Sequence, residues 1–103
     1  MENTANIKVE FAWTIDRSVA LENEMHEKVV ATLSKFEFDY MNVKLEIKKD
    51  GQTTFAVRAI LELPRYKTIV LNAEDNDVMN AFDKVKHMLF DEAKKAKTIK
   101  RSY

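Results

Sequence analysis

The residues best suited to chemistry in this chain are cations gathered near one end. Lys84, Lys86, Lys94, Lys95, Lys97, Lys100 and Arg101 stand against only Asp91 and Glu92, a local charge of +5. Ammonium groups at that density can grip phosphates, each contact adding affinity that falls as salt rises. A plainer reading competes with this one, because a charge run is usually a solvated face and helix C-termini favour cations. Just upstream, Glu74, Asp75, Asp77 and Asp83 form the opposite pole. Such oxygens can hold a hard cation, yet the segment lacks the glycine and spacing of a calcium loop. Asp77 is explained without a metal, as a helix N-cap accepting from the orphan amides of the first turn. No metal site and no cofactor is expected.

Covalent and acid–base chemistry find little support. Ser18, Ser34 and Ser102 lie in no strand–turn–helix nucleophile setting, and His26 and His87 fall on separate helical segments beside the apolar stripes. A set of acid, base and nucleophile does not converge, so the protein is expected not to be an enzyme. Phe11, Trp13, Phe36, Phe55 and Phe82 fall on apolar faces and are assigned to the core. Tyr66 and Phe90 do not. An aromatic at either place could stack on a base, touch a protein partner, or pack on its own sheet or helix.

Composition narrows the frame for these residues. The 103 residues suit one domain, 1–103, long enough for a modest core. One glycine and one proline leave no Gly-rich phosphate loop, and the absence of cysteine excludes disulfides and thiolate metal sites. The start, Met1 to Lys8, has neither the basic run nor the apolar run of a secretory signal. No apolar run approaches a membrane span, so a cytoplasmic protein without membrane contact is expected. Seventeen basic and seventeen acidic residues cancel. Dedicated nucleic-acid binders usually carry a basic balance; this chain is polarised instead.

The elements that must carry these residues follow from periodicity. Ile7, Val9, Phe11 and Trp13 alternate with polar positions as a half-buried strand. Asp16 or Ser18 can cap a helix whose Leu21, Met25, Val29 and Leu33 recur every fourth residue, with Val30 and Ala31 widening the stripe and an end near Lys35. Val43, Leu45 and Ile47 mark a second strand over 42–49. Asp50-Gly51 predicts a two-residue hairpin turn, and Phe55, Val57, Ala59, Leu61 and Leu63 form the return strand. Pro64-Arg65 breaks it, and a fourth strand is expected over 66–73. From Val78 a helix carries Ala81, Phe82, Val85, Leu89, Ala93 and Ala96 on one stripe. The tail, about 98–103, is expected to be mobile. The expected fold is therefore α+β: a two-layer β-α-β-β-β-α domain, its four-stranded sheet mostly antiparallel, with two helices on one face.

Several of these stretches together resemble a known family. They are the first strand, the helix reaching Lys35-Phe36, the strand start at Asn42-Val43 and the A-I-L-E-L segment from Ala59 to Leu63. Sharpest are the A-E-x-x-D-x-x-x-A-h-D pattern from Ala73 to Asp83 (h apolar) and K-K-A-K from Lys94 to Lys97. In order and spacing the chain resembles a short, divergent form of the ribosome hibernation-promoting factors, also called ribosome-associated inhibitor, factor Y or sigma-54 modulation protein.

The resemblance implies a fold similar to double-stranded-RNA-binding domains and a stress or stationary-phase role. It implies binding to the small ribosomal subunit through 16S rRNA, and inhibition of translation by occupying the tRNA and mRNA path. It places rRNA contacts at Lys28, Lys35, Lys94, Lys95 and Lys97; charge and position make Lys86, Lys100, Arg101 and Tyr66 candidates for additional contacts. A homodimer is compatible with it. Thr32, Met88 and Asp91 depart from the family's basic pattern. The neutral balance, the acidic first helix and off-stripe Met88 and Phe90 motivate an alternative, a divergent member acting as a protein–protein module without rRNA binding.

Overall fold

Segments with apolar period two form strands and both four-residue stripes form helices. A computed structural model describes residues 6–101, with side chains to residue 97. The order is β1 (Ile7–Trp13), α1 (Val19–Leu33), β2 (Met41–Lys49), β3 (Phe55–Glu62), β4 (Ile69–Asp75) and α2 (Val78–Arg101). The strands lie side by side in chain order; β1 pairs with β2 in parallel, and the other two pairs are antiparallel. A parallel pair needs a crossover, and α1 supplies it. β1, β2 and β4 therefore share one direction.

Register puts the apolar residues in rows beneath the helices. Val9, Val43, Leu61 and Ile69 form one row, Phe11, Leu45, Ala59 and Leu71 the next, then Trp13, Ile47, Val57 and Ala73. Met25, Val29 and Leu33 from α1, with Ala81, Phe82, Val85, Leu89, Ala93 and Ala96 from α2, bury themselves over these rows. Phe38 and Met41 also enter the core, though the sequence reading had not assigned them there.

The other sheet face stays open and its charges answer one another. Lys8 pairs with Glu10 at 3.3 Å, Glu46 receives Lys44 at 4.0 Å and Arg58 at 3.7 Å, and Arg58 Nε donates to Asn72 at 3.2 Å. Of these ion pairs, Glu46 with Arg58 joins directly opposite positions of β2 and β3, a favourable cross-strand pairing, while the other two each run along one strand.

Both helices begin at side-chain caps. Ser18, rather than Asp16, caps α1, its Oγ accepting from Leu21 N at 3.3 Å. At α2 the Asp77 carboxylate accepts from Met79 N at 2.8 Å and Asn80 N at 3.4 Å.

The structure corrects five details. α1 ends at Leu33 with Ser34 as its C-cap, not near Lys35. Ala31 is exposed rather than part of the buried stripe, because it lies about 120° around the helix from Met25 at about 100° per residue. The β2–β3 hairpin exists, but its loop holds residues 50–54. Lys49 pairs with Phe55, and Asp50 N donates to Thr54 O at 2.7 Å. Gly51 alone in that loop takes positive φ, at 94°, whereas a two-residue turn of the expected type needs two such positions. β4 starts at Ile69, three residues late, because the turn at Pro64 and Arg65 extends through Tyr66, with Arg65 at φ 58°. Phe55 is half-buried beneath Lys49, whose Nζ lies 6.0 Å from the ring centroid, rather than in the core.

Candidate nucleic-acid interface

The chain just past α1 meets the middle of α2 at an aromatic pair. Phe36, just past α1, lies 5.4 Å centroid to centroid from Phe90 of α2, with the rings tilted by 55°. Lys35 Nζ sits above the Phe90 ring, 5.7 Å from its centroid. With 24 residues against 15, α2 is the longer helix. Its turns after Phe90 carry Lys94, Lys95 and Lys97.

Helical geometry sorts those lysines. At about 100° per residue, Phe90, Lys94 and Lys97 fall within about 60° of one another, while Lys95 lies about 100° from Lys94. Lys95 leaves the strip and pairs with Glu92 at 3.4 Å. Asp91 and Glu92 also lie off the strip, so no carboxylate stands between Phe90 and Lys97 along it. Lys97 forms no ion pair among the described residues.

Lys35 lies beyond the end of α1 at Leu33, whereas Lys28 lies within that helix. Glu24 holds Lys28 loosely, at 4.0 Å. Glu22 of α1 accepts from Trp13 Nε1 of β1 at 2.8 Å, and Lys35 lies on the α2 side, over Phe90.

The other expected contacts fall elsewhere. Lys86 turns to Asp83 at 3.7 Å. Tyr66 sits in the β3–β4 connection, half-buried against the core. The side chains of Lys100 and Arg101 lie outside the described residues, as do those of 98–103 generally. Met88 and Phe90 are both half-buried against the core rather than displayed.

The acidic pole is structural. Asp75 accepts from Asp77 N at 3.1 Å and pairs with Lys84 at 3.2 Å; Lys84 also donates to the Glu74 carbonyl at 3.0 Å. The Asp77 amide, then Lys84, hold the Asp75 carboxyl below the ordinary carboxylate range. Lys84, Lys86 and Lys95 are thus tied to Asp75, Asp83 and Glu92.

Sequence reasoning missed Arg17, which grips Glu22 with two donors at 2.9 and 2.8 Å. Arg17, followed by Trp13, keeps the Glu22 carboxyl low, and Glu22 raises the guanidinium in return. The signal was the five-residue spacing across the cap. A depressed carboxyl adds stability that is present above its unfolded value and lost as pH falls through its folded one. Thermal stability should therefore be level near neutrality and decline below about pH 4. Glu22→Gln and Asp75→Asn are each expected to flatten that acid limb in melting curves taken across pH. Variant and parent limbs that fall in parallel would refute the linkage.

Among hydroxyl groups, Ser18 is taken up in the α1 cap and Ser34 Oγ donates to Ala31 O at 3.3 Å. His26 and His87 are exposed. A shallow depression of about 310 Å³ lies on the open sheet face, lined by Lys8, Glu10, Asn42, Lys44, Ile60 and Glu62, away from the helical strip. Among the described residues no helix is long and apolar enough to cross a membrane.

The protein is thus an α+β sandwich of one mixed sheet and two helices with a cationic seam at the helical junction. Its fold is shared by solved structures. A ribosomal subunit interface protein from Coxiella burnetii superposes with TM-score 0.70 and 22% identity, covering 88% of this chain and 98% of that one. The N-terminal domain of Thermus thermophilus Protein Y gives TM-score 0.74 and 17% identity, covering 87% and 97%. No family profile and no curated protein sequence matches the chain.

Proposed function

We propose that this chain is a ribosome-associated factor of the hibernation family. In this reading it is a cytoplasmic protein that binds the small subunit through 16S rRNA. It inhibits translation by occupying the tRNA and mRNA path, with no chemical step. The observation that carries the reading is Lys35 lying over Phe90 where Phe36 packs on α2, with Lys94 and Lys97 following on the same face of α2 by helical phase. Support also comes from the fold likeness to a protein described as a ribosomal subunit interface protein and to a Protein Y domain. The sequence resemblance points to the same family. Lys28 on α1 is a further contact in this reading, and Lys100 and Arg101 continue the basic run in sequence.

Binding of this kind is electrostatic and weakens as salt competes for phosphates. Sucrose-gradient sedimentation with 30S and 70S particles at two ionic strengths tests it. Co-migration at low salt and release at high salt is expected. Failure to co-migrate at low salt overturns the reading, and complexes that survive high salt without rRNA would mark a protein partner instead.

A further inference from the structure

Phe90 is the one uncharged member of the strip, and its placement is unusual for a core residue. It lies about 100° around α2 from Leu89, off the stripe that fills the core. It remains half-buried while Phe36 beside it is nearly sealed. Its ring meets Phe36 at a tilt, and Lys35, an exposed residue, is what lies over it. The ring itself is half-buried, but the ammonium above it belongs to an exposed side chain, and a lone cation–π contact of that kind is held weakly and can be displaced. Lys94 follows one turn later on the same face, with Lys97 beyond.

An aromatic ring flanked in line by cations is the arrangement that recognises an unstacked nucleotide: the base rests on the ring and the phosphates meet the cations. We infer that Phe90 is a stacking platform for an unpaired RNA base, with Lys35 moving aside to one flanking phosphate and Lys94 meeting the other. This rests on the rRNA-binding reading above and adds to it the state of the RNA, because a continuous A-form duplex offers no free base face.

The test uses two fluorescein-labelled RNAs with equal numbers of phosphates, a short single strand and a fully paired hairpin, titrated by anisotropy. Phe90→Leu keeps an apolar side chain against Phe36 but removes the π face. It is expected to weaken the single strand about tenfold, leave the hairpin unchanged and preserve the salt slope, since no phosphate contact is lost. Phe90→Tyr should restore single-strand affinity. A 4-thiouridine single strand photo-crosslinked to the unaltered protein should form its adduct at Phe90, a readout that needs no variant.

Unchanged single-strand binding by Phe90→Leu, with binding still lost on charge reversal of Lys94 and Lys97, overturns stacking and leaves the electrostatic reading standing. Equal losses on both probes overturn stacking too, reducing Phe90 to a positioning residue for the lysines. No binding of either probe by the unaltered protein overturns both.

Discussion

Lys94→Glu combined with Lys97→Glu is expected to weaken binding to small-subunit particles by on the order of a hundredfold, with the log–log salt slope falling by about two. Both residues lie on the face of α2 that carries Phe90, so in the proposed reading each reversal would remove a phosphate contact and set a repulsive charge in its place. Lys95→Glu is the informative control. Lys95 lies about 100° around the helix from Lys94 and is already paired with Glu92 at 3.4 Å, so its reversal should cost far less. Sedimentation and filter binding at several salt concentrations measure all three. Equal effects from Lys95→Glu and the double variant would mean that net charge matters and the strip does not. Melting curves should be nearly unchanged, since a cation near a helix C-terminus contributes only about 0.3–1 kcal/mol.

The second large effect concerns stability. Phe82 is fully buried in the inward stripe of α2, over the rows that β3 and β4 contribute. Removing a buried phenyl ring costs the transfer energy of its atoms and leaves a cavity that its neighbours only partly fill, about 3–5 kcal/mol. A domain of this size holds roughly 5–15 kcal/mol in total. Phe82→Ala should therefore lower the melting temperature by about 12–40 °C, and Phe82→Leu by much less. Urea denaturation gives the energy directly. A loss under about 1 kcal/mol would show that the site collapses without a cavity, and that Phe82 is not a centre of the core.

These two predictions differ in how far they could be read from sequence. Phe82 was legible because Ala81, Phe82, Val85, Leu89, Ala93 and Ala96 keep helical period over about four turns without a Gly or Pro. The strands were equally legible in their inward residues, since period two marks a face whatever the pairing. Pairing itself was not: nothing local in Ile7–Trp13 says that it runs parallel to β2, because the partner lies beyond the intervening helix. Loop lengths also escaped. Asp50-Gly51 carries the letters of a tight turn, yet backbone dihedrals, which sequence reports only weakly, set five residues there. At Pro64-Arg65 a non-glycine residue takes the left-handed region, a conformation that composition alone would assign elsewhere.

The site was half legible. Lysine identity and helical phase place Lys94 with Lys97 and separate Lys95, all from local spacing. Ion pairs at three or four residues, such as Lys95 with Glu92 and Lys28 with Glu24, were within reach of the same logic. Lys84 was not, because its partner Asp75 sits across a cap on another element. Neither was Lys35 above Phe90, since that meeting depends on where α1 stops against α2.

The open sheet face, whose lysines, arginine and glutamates neutralise each other in place, leaves a lasting mark on how the molecule would travel. A body with zero net charge feels little net long-range pull toward polyanions, so its hold on RNA would come from local contacts. What survives at a distance is an electric dipole from acidic cap to basic helix end. That dipole can turn an approaching molecule but cannot hurry it, so selectivity would arise from orientation before any contact forms.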